Sequence, residues 1–352
     1  MTSSPAADAT FLALSGGVGG AKLVLGLAEL LGDRLCVVVN TGDDFEHLGL
    51  LISPDVDTAL YTLAGIVNPA TGWGRREETW TFMEALATLG GPVWFRLGDG
   101  DLATHVDRTQ RLRTGATPSE VCVHLARRFG VAANILPMTD QRVRTLVETD
   151  EGCLAFQDYF VRRQCRPAVR SIRFEGAETV RPSPRILEAL SDPTLAGIVI
   201  CPSNPWLSVD PILAVPGLAA ALRQAGVPVV AVSPIVAGKA LKGPAAKIMA
   251  ELGLECSSRQ IVRHYAGLID AIVIDRADGA LGGEMQAERG ADGGAEKGVD
   301  RGVDGGVTVL VTNTVMTTRE DKVALARDCL ALCARLAKAA PAAPVRRRSS
   351  ET

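Results

Sequence analysis

Unbroken runs of apolar residues, each ending in a polar or glycine-rich turn, recur along the chain. FLAL at Phe11–Leu14 runs into SGGVGGAK, LCVVV at Leu35–Val39 into NTGDD, Gly197–Cys201 into PSNP, Val227–Val232 into SPIVAGK and Ala271–Ile274 into DRADG. Continuous apolar runs, rather than strict alternation, predict strands covered on both faces. Between the first two runs, Leu23, Leu27 and Leu30 share one helical face, so a helix is predicted from Ala21 to a stop at Gly32. Val307–Val311 reads as another strand and Arg319–Lys338 as a terminal helix. Strands alternating with helices predict an α/β fold with a mostly parallel sheet, in which ligands bind outside the carboxyl ends of the strands.

The pattern changes between 68 and 193, where short helices outnumber strand signals. One helix start is clear: Thr117-Pro118-Ser119-Glu120 is a capping box with proline in the first turn. A single α/β domain over 1–340 is expected, with its core in 9–67 and 194–340 and a mainly helical subdomain inserted at 68–193. Residues 282–306 hold nine glycines and nine charged residues among 25, too little apolar surface to order, and read as a flexible low-complexity loop. Residues 341–352 read as a disordered tail.

Composition narrows the functions. The 352 residues are 47% hydrophobic with a net charge of -3, enough for a substantial core. The basic run Arg346-Arg347-Arg348 near the end offers no stripe for a nucleic-acid backbone, so no nucleic-acid partner is expected. No apolar segment approaches ~18 residues, so no membrane partner is expected and a cytoplasmic location is. Eight cysteines without a Cys-x-x-Cys pair read as reduced, mostly buried thiols.

The candidate chemistry lies in the turns. In SGGVGGAK, Gly16, Gly17, Gly19 and Gly20 fill four of five positions, with Lys22 close behind. A helix N-terminus offers unpaired N–H groups and a positive dipole end, and glycine lets an anion approach the backbone, so phosphate or nucleotide contact is expected. Neither familiar variant fits: a dinucleotide fingerprint from Gly17 needs a small residue where Lys22 stands, and a Walker A motif needs Gly-Lys-Ser/Thr where the chain has Ala21-Lys22-Leu23.

Four aspartates follow the second strand. Ser53-Pro54-Asp55 reads as N-cap, N1 and N2 of a helix, which accounts for Asp55. Asp57 lies beyond the cap with its carboxylate available, and Asp43, Asp44 and Asp57 beside a phosphate loop suggest a hard cation held partly by substrate phosphates. In CPSNPW two prolines hold Ser203 and Asn204 at the ligand edge. SPIVAGK supplies Lys239, with Lys242 and Lys247 beyond. Arg96 and His105 are candidates for substrate contact, and the aromatics of GWGRREETWTF and VWFRLGDGDLATH, Trp80 among them, either wall a flat ring system or pack in the core.

In order, SGGVGGAK, NTGDD, SPDVDT, GWGRREETW, LGDGDLATH, ILPMTD, FQDYFV, PSNP and SPIVAGK resemble the 2-phospho-L-lactate transferases and the similar phosphoenolpyruvate transferases of coenzyme F(420) biosynthesis, from Phe11 to about Leu281. The resemblance implies a Rossmann-like core with helices on both faces of the sheet. It also implies a homodimer and a Mg²⁺-dependent transfer of a phosphorylated three-carbon acid from its GDP-linked form to the terminal ribityl hydroxyl of the deazaflavin Fo, releasing GMP. It places Asp57 among the Fo and metal contacts, as metal ligand or hydroxyl-orienting base, Arg96 beside the deazaflavin, and Ser203, Asn204, Gly238 and Lys239 on the nucleotide side. Where the family usually has arginine in LGDGDLATH, this chain has Gly100, leaving phosphoenolpyruvyl, 2-phospholactyl and 3-phosphoglyceryl donors open. SPIVAGK and GWGRREETW lean to the phosphoenolpyruvyl branch. Two rivals are a nucleotide-sugar-binding regulator of the related gluconeogenesis-factor branch, which shares the glycine loop, and a nicotinamide-dependent oxidoreductase, disfavoured by Lys22.

Overall fold

A computed structural model describes residues 8–241, 243–292 and 306–339. The chain begins β1 (Thr10–Ser15), α1 (Gly17–Leu31), β2 (Leu35–Val39), a hairpin β3 (Phe45–His47) and β4 (Leu50–Ile52), then α2 (Pro54–Leu63). Next come α3 (Thr81–Thr88), α4 (Asp99–Arg113), α5 (Pro118–Arg128), β5 (Asn134–Pro137), β6 (Arg144–Thr149), β7 (Gly152–Ala155), β8 (Val169–Glu175) and α6 (Pro184–Leu190). The second half runs β9 (Leu195–Ile200), α7 (Asp210–Leu213), α8 (Leu218–Gln224), β10 (Val229–Val232), a small hairpin β11 (Ile235–Val236) and β12 (Lys239–Ala240), α9 (Ala245–Glu251) and α10 (Ser258–His264). It closes with β13 (Ala271–Asp275), α11 (Gly279–Asp292), β14 (Thr308–Thr312) and α12 (Arg319–Ala339).

Seven strands form one parallel sheet in the order β14-β13-β10-β9-β1-β2-β5. Alternate residues feed two cores: Leu12 and Leu14 of β1 pack on one face, Phe11 and Ala13 on the other with Leu23, Leu27 and Cys329 of the flanking helices. Burial on both sides explains the continuous apolar runs. Chain order reverses between β1 and β9, the switch point where a parallel sheet opens a crevice at its carboxyl edge.

Three expectations are refined. The first helix starts at Gly17, not Ala21, because its glycines are the first turn itself and Gly19 packs against a neighbouring carbonyl. The 68–193 stretch has more helix than strand, yet it is woven into the core: β5 is an edge strand of the central sheet, and β6, β7 and β8 make an antiparallel sheet. β5 and β7, at four residues each, carry too little pattern to announce themselves. Residues 282–292 continue α11, with Gly282 against Val311 and Met285 buried; residues 293–305 and the 341–352 tail lie outside the described residues. The capping box at Thr117 is present with both of its hydrogen bonds.

Candidate active site at the sheet switch point

A cavity of ≈480 Å³ opens over the carboxyl ends of the central strands. Gly16, Gly17 and Gly19 form one wall, Ser203, Asn204 and Ser208 the adjacent one. Their close approach is built from missing side chains: a Cβ on Gly19 would stand 2.4 Å from the Pro202 carbonyl oxygen, and one on Gly16 2.6 Å from Ser208 Cβ. Gly16 N–H donates to Ser203 Oγ at 3.0 Å. Gly20 lies behind the wall, where a Cβ would meet Ser203 Oγ at 2.4 Å. The first turn of α1 therefore presents its backbone to the cavity while locked to PSNP. Lys22 also lines the cavity, its Nζ donating to the Met316 carbonyl at 2.9 Å. Asn204 Oδ1 accepts from the Trp206 and Leu207 amides, while its buried Nδ2 lacks a partner.

Asp43, Asp55 and Asp57 line the floor; Asp44 stands back from it. Ser53 is the N-cap residue of α2 but caps nothing with its side chain: its hydroxyl donates to Asp44 Oδ2 at 2.7 Å. Burial, then the neighbouring Asp55, pushes Asp43 well above the ordinary carboxylate range; burial pushes Asp44 up as well. Burial raises Asp55 to about 6, against the hydrogen bond it accepts from Asn40 Nδ2 at 3.0 Å. Asp55 thus belongs to the floor as well as to the helix start. Asp43 and Asp44 each keep one buried oxygen without a hydrogen-bond partner. Among the described residues, the carboxylate and imidazole atoms that come within 4.8 Å of one another, as a shared cation needs, are instead those of Asp57, Asp101 and His105.

Asp57 departs from expectation, because its carboxylate is already engaged. Both oxygens accept from the guanidinium of Arg108, one at 3.0 Å. His105 Nδ1 lies 3.7 Å from Asp57 and its Nε2 3.4 Å from Asp101; Asp101 also accepts the Tyr61 hydroxyl at 2.6 Å. Asp57, Asp101, His105 and Tyr61 all face the cavity.

Opposite lies an apolar wall of Trp73, Phe95, Phe156 and Phe160, the last two rings stacked 5.2 Å apart. Arg96 lines the cavity with its guanidinium 4.1 Å from the centre of the Trp80 ring. Trp80 lies outside the lining and supports Arg96 from behind. Gly238 and Lys239 are displaced further: they occupy the β11–β12 hairpin, with Lys239 exposed, and neither lines the cavity. The glycine there makes a turn, at φ 69°. Lys242 lies outside the described residues, and Lys247 is paired with Glu251. Sequence reasoning missed Arg108 and Tyr61, whose partners Asp57 and Asp101 are distant in the chain, and Asp101 was quoted only within LGDGDLATH. Phe156, Gln157 and Phe160 were quoted only as part of a motif.

A doubly wound parallel sheet with an anion-type loop, a carboxylate floor and an aromatic wall meeting at its switch point defines a Rossmann-like α/β protein with one composite ligand cavity. Residues 11–314 match the model of the 2-phospho-L-lactate transferase CofD family, and the chain belongs to that family. It is a transferase of coenzyme F(420) biosynthesis. It is similar to the phosphoenolpyruvate transferase of Streptomyces griseus, 43% identical over 281 residues covering 78% of this chain and 88% of that protein. The phosphoenolpyruvate transferase of Mycolicibacterium smegmatis is 39% identical over 289 residues, covering 76% and 88%. A crystal structure of a UPF0052 family member from Bacillus halodurans shares the fold at a TM-score of 0.56 and 16% identity, covering 92% of this chain and 98% of that one. Among the described residues no single helix is long and apolar enough to cross a membrane.

Proposed function

We propose that the protein transfers a phosphorylated three-carbon acid, phosphoenolpyruvyl by preference, from its GDP-linked form to the terminal ribityl hydroxyl of Fo. The observation that carries the reading is the joining, in one cavity, of the glycine-loop helix terminus, the carboxylate floor and the aromatic wall. The name carried by the relatives favours the phosphoenolpyruvyl donor. In this reading the Gly16–Gly19 backbone, Ser203 and the unpartnered Asn204 amide meet the nucleotide diphosphate. Phe95, Phe156, Phe160 and Arg96 hold the deazaflavin rings.

The acceptor hydroxyl oxygen bonds to the phosphorus that bears the acid, the bridging P–O bond breaks, and GMP leaves with that electron pair. His105 orients the hydroxyl through its Nε2–H, and Asp57 takes up its proton. Asp57 and Asp101 would hold Mg²⁺, which supplies charge neutralisation at the phosphate oxygens when bound. Purified protein supplied with the GDP-linked acid is expected to release GMP, followed by chromatography, only when Fo and Mg²⁺ are both present. GMP release at the same rate without Fo would overturn the assignment of the acceptor.

A further inference from the structure

Arg108 belongs to none of the motifs that mark the cavity, and it does not line it. Asp101, His105 and Arg108 follow one another at intervals of four and three, on one face of α4. The Arg108 side chain is 3% exposed and that of Asp57 7%. A guanidinium this deep is tolerated only when its donors are matched, and its planar fork is suited to a carboxylate. Nη1 donates to Asp57 Oδ2 at 3.0 Å and contacts His105 Nδ1 at 3.1 Å, while Nη2 donates to Asp57 Oδ1.

A guanidinium has donors and no acceptor. The contact with His105 therefore requires Nδ1 to accept, which places the ring hydrogen on Nε2, the nitrogen 3.4 Å from Asp101. The helix that carries these groups is itself pinned. Glu78 accepts the Gly100 and Asp101 amides at 2.7 and 2.8 Å, and Asp99 accepts the Thr81 and Phe82 amides at the start of α3, both at 3.1 Å. Each helix start is thus capped by a carboxylate from the other segment.

We propose that Arg108 is a positioning residue: from behind the cavity wall, one guanidinium fixes both the orientation of the Asp57 carboxylate and the Nε2–H tautomer of His105. Only the kinetic consequence rests on the transferase reading. The orientation and the tautomer follow from the fold alone.

The test uses the full chain labelled with ¹⁵N-histidine. The protein has four histidines, and His105→Gln identifies the resonance. Wild-type His105 is expected as the Nε2–H tautomer, and Arg108→Ala as a mixture. In the same preparations, Arg108→Ala should lower kcat about 10²-fold with little change in KM for the GDP-linked donor. Added guanidinium should restore part of the loss. Arg108→Lys keeps the charge without the fork and should stay within a few-fold of the alanine variant.

A wild-type tautomer together with wild-type kcat in Arg108→Ala would overturn the proposal, as would full activity in Arg108→Lys. If Arg108→Ala does not fold, Arg108→Lys carries both readouts. If the wild-type protein transfers nothing, the transferase reading fails, and the tautomer in the variants decides the role of Arg108 independently.

Discussion

The two sides of the cavity are made in opposite ways. On the α1 side the working surface is backbone, and the chain supplies it by leaving side chains out: a Cβ on Gly19 or Gly16 would collide with the PSNP turn and Ser208. On the α4 side the working surface is side chains, and charge holds it together, with Arg108 against Asp57 and Asp101 between His105 and Tyr61. Damage to the first side should therefore register as lost packing and lost stability. Damage to the second should register as lost chemistry in a fold that survives.

The sharpest division comes from Asp57→Ala. Transfer is expected to fall by about 10³-fold or more in protein that still folds, with the thermal unfolding midpoint lowered because Arg108 is left buried without its counter-charge; near-wild-type turnover in GMP-release assays would break the comparison. Gly19→Ala should register first in stability. Its methyl group meets a backbone carbonyl at 2.4 Å, and a shift of α1 against PSNP should cost about 1–3 kcal/mol in denaturant unfolding. An unchanged denaturation midpoint would show that the approach is not tight.

Asp55 stands between the two sides and tests their electrostatics. Burial lifts it from 3.8 to about 6 in the fold, so the folded state binds its proton more tightly than the unfolded chain does. That contribution to stability is complete below pH 3.8 and is lost as pH rises through about 6. Asp55→Asn should remove the loss, raising the unfolding midpoint relative to wild type at pH 8 but not at pH 3.5; an equal effect at both values would contradict the burial argument. The smallest effect is expected from deleting residues 293–305, which lie beyond the buried Met285. Turnover and melting should be unchanged, and loss of soluble protein would show that the low-complexity segment packs.

The same contrast explains what could be read from the chain. The α1 side was legible because its signal is contiguous: apolar strand, glycines, helix, then PSNP after another strand. Asp43 and Asp57 were legible as acids near an anion loop. Arg108 was not, since its meaning comes from Asp57, 51 positions away, and an arginine in a polar helix otherwise reads as surface. Asp55 was assigned wholly to helix capping because local grammar accounted for it, while its contact with Asn40 depends on the turn after β2. Lys239 was placed by analogy of strand ends. The β11–β12 hairpin that carries it away from the cavity is two residues per strand, below the reach of any periodicity.

The most direct measurement is the mass of the deazaflavin after incubating the protein with Fo, Mg²⁺ and each of the three GDP-linked acids in turn, with GMP followed alongside. A gain of one phosphorylated acid on Fo, greatest with the phosphoenolpyruvyl donor and matched by GMP, is the expected result. An unchanged deazaflavin with all three donors, in protein shown to be folded, would contradict the transfer and leave the cavity to another phosphorylated ligand.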